Sequence, residues 1–121
     1  MSAFTDLGST APQRIWDGVA GRTVHGERVT FSLVELEPET VVPEHSHENE
    51  QLGMVLSGSL NFTIGDETRE VGPGQAWCIT AHVPHSVVAG SEGAVLVEVF
   101  SPVRDDWAGL EHEEPRAPRW P

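Results

Sequence analysis

The sequence has no lysine, one cysteine and no long apolar run, and each scarcity removes a class of function. Seven arginines face nineteen aspartates and glutamates, so the formal net charge is −12. Such a surface repels phosphate backbones and anionic headgroups, which speaks against nucleic acid and acidic membranes as partners. No stretch approaches the ~18 consecutive apolar residues of a membrane span, and Met1 to Thr10 offers neither the basic nor the apolar region of a secretory signal. A cytoplasmic protein is therefore expected. Cys78 has no partner for an internal bridge. Its place in Ala76-Trp77-Cys78-Ile79 predicts a buried thiol, with a reactive thiol as the alternative.

The 121 residues suit a single domain that buries roughly two thirds of its unfolded surface, and 38% apolar with 21% charged residues is an ordinary globular composition. From Val19 to Phe100, short apolar segments alternate with Gly, Pro, Asp and Asn, and no helix-length periodicity intervenes. Strands are expected at Arg28 to Leu36, Thr40 to His47, Gln51 to Leu56, Ser59 to Ile64, Gln75 to Ile79, His85 to Ala89 and Ala94 to Phe100. Turns are expected at Glu37-Pro38-Glu39, Ser57-Gly58, Gly65-Asp66, Gly72-Pro73-Gly74 and Gly90-Ser91-Glu92-Gly93. Seven or eight evenly spaced strands favour an all-β sandwich or barrel, with a core over about residues 28–100, an N-terminal arm over 1–18 and a Pro-rich tail over 104–121. Val95 to Phe100 is apolar on both faces except at Glu98, so its outer side needs cover, which a homodimer would supply. Pro115, Pro118 and Pro121 keep the tail out of any central strand, and Trp107 and Trp120 are its expected anchors.

Four of the six histidines fall in Pro43-Glu44-His45-Ser46-His47 and His82-Val83-Pro84-His85. Residues two apart in a strand share a face about 6.6 Å apart, so His45 and His47 can converge on one ion while Ser46 faces away. Gln51 follows the polar turn Glu48-Asn49-Glu50, and a hairpin there would bring its amide oxygen back toward the two rings. Pro84 favours an extended approach to His85. The alternative is that His45 and His47 are exposed polar residues of an edge strand. Glu50 would point away from Gln51, and His25, His82 and His112 lack comparable partners, so none of these enters the ligand set.

The stretch His45-x-His47-x3-Gln51-x6-Gly58 resembles the first cupin motif, and Gly74-x9-Pro84-His85 resembles the second. The hairpin Leu60 to Gly65 has the length that family places between them. The resemblance covers roughly residues 28 to 100 and implies a jelly-roll barrel, a double-stranded β-helix, with a metal inside. Many cupins carry Glu where this chain has Gln51. Three imidazoles and an amide are all neutral, so a bound divalent ion would keep its full charge and its stronger Lewis acidity. Such a donor set suits Zn, Ni, Fe, Mn or Cu without choosing among them.

Glu98 is the single charge in the last apolar strand, and burying a carboxylate is costly unless it meets a cation or performs a task. An ordinary salt bridge with Arg22 or Arg104 is one reading, and Phe100 could be plain core. The pattern Glu98-x-Phe100-x3-Arg104 also resembles the Asp-x-Phe-x3-Arg of pectin-degradation cupins that linearise unsaturated uronates. That resemblance implies an isomerase- or hydratase-like enzyme on a small sugar acid. Arg104 would clamp the substrate carboxylate beside Phe100 and Glu98 would move the proton, with one more methylene than Asp provides. A metal-dependent dioxygenase and a non-catalytic small-molecule binder are the competing functions. The chain carries no helix-turn-helix pattern, which speaks against a cupin-type regulator.

Overall fold

A computed structural model describes residues 2–120. Among the described residues eight antiparallel strands form: β1 (Gln13–Trp16), β2 (Val19–His25), β3 (Thr30–Leu36), β4 (Val41–His45), β5 (Glu50–Ile64), β6 (Glu67–Val71), β7 (Ala76–Ile79) and β8 (His85–Ser101). They hydrogen-bond in the order β1-β2-β3-β8-β5-β6, with β4 added on β8 and β7 on β5. The result is an all-β roll of the kind the motifs imply.

β5 and β8 each run as one long strand, where the sequence reads as two short strands apiece. The C-terminal half of β8 pairs with β3 and the first half of β5, whereas its N-terminal half pairs with β4 and the second half of β5. Two register shifts, at Val55/Ser57 and Gly58/Leu60, bend β5 between these halves. Gly58 sits at the bend with φ 77°, and a Cβ there would collide with the carbonyl oxygen of Gly93. The Ser57-Gly58 and Gly90-to-Gly93 signals are thus corners of continuous strands rather than loops, because glycine serves a bulge as readily as a turn. Gly65-Asp66 does form the tight β5–β6 turn, with Gly65 at φ 60°.

The sheet also begins earlier than residue 28: β1 lies within the expected N-terminal arm and β2 follows it. Inward-facing Val19, Val34, Leu36, Val42, Val55, Leu60, Phe62, Trp77, Ile79 and Leu96 form the core. Cys78 is exposed, not the buried thiol its apolar run predicts. In β7 the residues alternate, with Trp77 and Ile79 buried and Ala76 and Cys78 exposed. β7 pairs with β5 alone and its outer face is open, so an apolar run did not mean two covered faces.

Part of the outer cover expected for β8 comes from the chain itself. Glu35, paired with Val95 across β3 and β8, forms a buried ion pair with Arg22 at 2.9 Å, at 2% and 1% side-chain exposure. Glu35 also accepts from Arg116 Nη1 at 2.9 Å and from the Arg119 backbone N–H at 2.7 Å, while Arg22 Nε donates to Thr10 O at 3.0 Å. One carboxylate therefore fastens the tail to the sheet, and its arginine partner fastens the N-terminal arm. The tail meets β1 through the Gln13–His112 bridge, and Trp107 is buried as an anchor while Trp120 lines an outer groove with Leu7, Phe31, Leu33 and Leu56.

Candidate metal centre and cavity

His45 and His85 are direct cross-strand partners at the ends of β4 and β8, and His47 lies just beyond β4, with Ser46 exposed between. The rings are 4.3 Å apart for His45–His85, 4.9 Å for His47–His85 and 5.9 Å for His45–His47. The ligand atoms of all three lie within 4.8 Å of one another, so this triad can hold a metal ion. Each ring is oriented by its own backbone: His45 Nδ1 lies 2.8 Å from Pro43 O, His47 Nδ1 2.9 Å from Asn49 O, and His85 Nδ1 2.9 Å from Val83 O. A carbonyl can only accept, so Nδ1 carries the proton in each ring and Nε2 presents a lone pair. His85 Nε2 is buried with no hydrogen-bond partner.

Gln51, the second residue of β5, completes this picture. Its Nε2 donates to Glu98 Oε1 at 3.2 Å, which turns Oε1 toward His47 Nε2 at 3.1 Å. In the neutral ring two lone pairs then face each other, an arrangement that a shared cation resolves. The unpaired His85 Nε2 and the His47–Gln51 contact are what a divalent ion needs, so these residues fit one.

Burial favours the deprotonated, ligating form. It holds His85 down at about 4, against the hydrogen bond to Val83, and lowers His47 with help from the Arg104 charge. Burial likewise lifts the Glu98 carboxyl to about 7, opposed by Arg104 and by the hydrogen bond from Gln51. The salt-bridge reading of Glu98 is not met among the described residues: Arg22 pairs with Glu35, and Arg104 pairs with Asp106 at 3.0 Å. Phe100 is buried but also borders the cavity, edge-on to His47 at 5.9 Å and to Trp107 at 4.9 Å.

All of these groups line one cavity of about 240 Å³. One end carries His45, His47, Gln51, His85, Glu98, Arg104 and Asp106, and the rest is largely apolar, including Ile15, Trp16, Val34, Leu36, Phe62 and Leu96. Sequence reasoning missed Ile15 and Trp16, although the apolar pair before Asp17-Gly18 is a short strand signal; Trp16 packs on His45 at 5.1 Å. It also missed Asp106 and Leu110, which the Arg104-to-Leu110 segment contributes to the lining. His25, His82 and His112 lie outside the cavity lining.

The family model of the cupin domain matches residues 32–100. The chain belongs to the cupin family. Within it, the pectin degradation protein KdgF of Dickeya dadantii (strain 3937) is 36% identical over 64 residues, covering 52% of this chain and 58% of that protein. H2HPP isomerase of Bacillus subtilis is 41% identical over 49 residues, 40% of this chain and 21% of the other. The match thus spans 58% of one of these curated relatives and 21% of the other, less than two thirds of either. The structure of KdgF from Halomonas sp. superposes with a TM-score of 0.73 at 27% identity, over 82% of this chain and 97% of that one. Among the described residues no helix is long and apolar enough to cross a membrane.

Proposed function

We propose that this cupin is a metal-dependent enzyme that linearises a 4,5-unsaturated uronate to an open-chain 5-keto-4-deoxyuronate. His45, His47, Gln51 and His85 would hold the divalent ion, which when bound polarises substrate oxygens. Glu98 moves the proton between substrate oxygen and carbon, and Arg104 meets the carboxylate on a base formed by Phe100 and Trp107. The apolar wall limits water around the reacting atoms.

The observation that carries this reading is the position of Glu98. Its carboxyl borders the cavity, is joined by a hydrogen bond to Gln51 and forms no ion pair among the described residues, so it is free to exchange a proton with a ligand. The likeness to KdgF over both sequence and structure supports the choice of substrate. Unsaturated galacturonate added to metal-loaded protein should lose its ultraviolet absorbance as the conjugated double bond disappears. An unchanged spectrum would remove this reading.

A second reading rests on the apolar lining and on the H2HPP isomerase likeness: the same residues isomerise a substrate with a larger apolar body. Turnover of H2HPP, with none of the uronate, would favour it. We also propose that two copies pair through the outer face. Val24, Phe31, Val99, Leu52 and Cys78 form one uncharged row across β2, β3, β8, β5 and β7, in a chain whose net charge of −12 opposes contact elsewhere. Sedimentation should give a dimer that Leu52→Asp converts to a monomer.

A further inference from the structure

Arg104 is the one arginine among the residues that line the cavity, yet its guanidinium already holds a carboxylate. Nε donates to Asp106 Oδ1 at 3.1 Å and Nη2 to Oδ2 at 3.0 Å, the side-on bidentate geometry in which arginine takes up a carboxylate ligand. Arg104 has other means of being held in place. Its backbone N–H donates to the buried Thr30 Oγ1 at 2.9 Å, and its guanidinium lies 4.9 Å from the Phe100 ring and 4.4 Å from the Trp107 ring. The two partners also differ in exposure, at 11% for the arginine side chain and 65% for the aspartate. Asp106 faces water, whereas Arg104 is held within the cavity lining.

We propose that Asp106 is an internal counter-anion that sets how strongly the cavity takes up carboxylates. It occupies one edge of Arg104 as a ligand carboxylate would, and its charge offsets that of the arginine. One residue separates the pair along the chain, and the turn at Asp105–Trp107 holds them together, so the competitor is always present. A ligand must displace it or bind the remaining edge against its repulsion. The cavity thereby rejects simple anions and keeps those that also engage the metal end or the apolar wall. This assignment rests on the reading that the ligand carries a carboxylate.

The test is calorimetric titration of metal-loaded wild type, Asp106→Asn and Arg104→Gln/Asp106→Asn with galacturonate, its neutral counterpart galactose, and benzoate. Asp106→Asn keeps the side-chain shape at an exposed position and removes the charge. It should tighten galacturonate and benzoate about fivefold, leave galactose unmoved, and lose the gain when Arg104 is also replaced. On a turned-over uronate the same variant should lower KM more than it raises kcat. Equal or weaker binding of both carboxylates overturns the proposal and makes Asp106 an orienting partner of Arg104. A gain for benzoate with no galacturonate binding by any variant upholds the counter-anion and instead removes the uronate reading.

Discussion

Replacing Glu35 by alanine should cost about 3 kcal/mol of folding stability and release the C-terminal tail. The substitution leaves Arg22, 1% exposed, as a buried cation without its carboxylate, and breaking such a pair costs roughly 3–5 kcal/mol. The lower end applies because Arg22 keeps its Thr10 O acceptor at 3.0 Å, and departure of the tail, which carries the Arg116 carbonyl, opens the guanidinium to water. Arg116 Nη1 and the Arg119 N–H lose their acceptor in the same step. For a domain of this size the loss corresponds to a melting temperature lower by roughly 10 °C. Urea denaturation followed by tryptophan fluorescence gives the free energy, and limited proteolysis read by mass gives early cleavage near Arg116. The double variant Arg22→Met/Glu35→Leu removes both charges and should regain most of the stability. If the double variant is as unstable as the sum of its single substitutions, the cost lies in lost packing and the reasoning from buried charge is refuted.

Further outcomes follow from the site and the bend. In the metal-free protein His85 is held at about 4, whereas an unfolded chain takes up that proton near 6.5. Stability is therefore full above 6.5 and falls as pH drops toward 4, by up to about 3 kcal/mol at ~1.36 kcal/mol per pH unit, and the pH profile of His85→Gln melting should be flatter. Glu98→Gln should lower turnover at least 100-fold while elemental analysis still finds one ion per chain, and His45→Ala should lose the ion. Gly58→Ala, which forces a Cβ against Gly93 at φ 77°, should cost at least about 2 kcal/mol, whereas Gly109→Ala, with open space around it, should change thermal stability by less than about 0.5 kcal/mol.

The all-β class was legible because punctuation by glycine and proline is dense and no helical period competes. What the sequence could not tell apart was a turn from a corner: Gly58 and Gly93 obey the same backbone rule in both, and the difference is made by pairing with strands far along the chain. His45 and His47 could be placed together because alternation is local, and His85 could be added through the motif. Asp106 was not legible, since a short Arg-x-Asp spacing on a tail says nothing of a cavity. Glu98 was singled out as an isolated charge in an apolar strand, but that it would meet an amide instead of an arginine depended on Arg22 being engaged by Glu35 on the opposite face of the sheet.

Because β5 and β8 each take part in both halves of the roll, neither half can assemble alone. His85 reaches His45 only when β8 closes on β4, a pairing across forty residues of chain. An unfolded chain therefore offers an ion little beyond the neighbouring His45 and His47, and the complete donor set exists only once that pairing has formed. Added metal should leave the refolding rate nearly unchanged and slow the unfolding rate instead, so that its benefit is a longer lifetime of the native state rather than a quicker route to it.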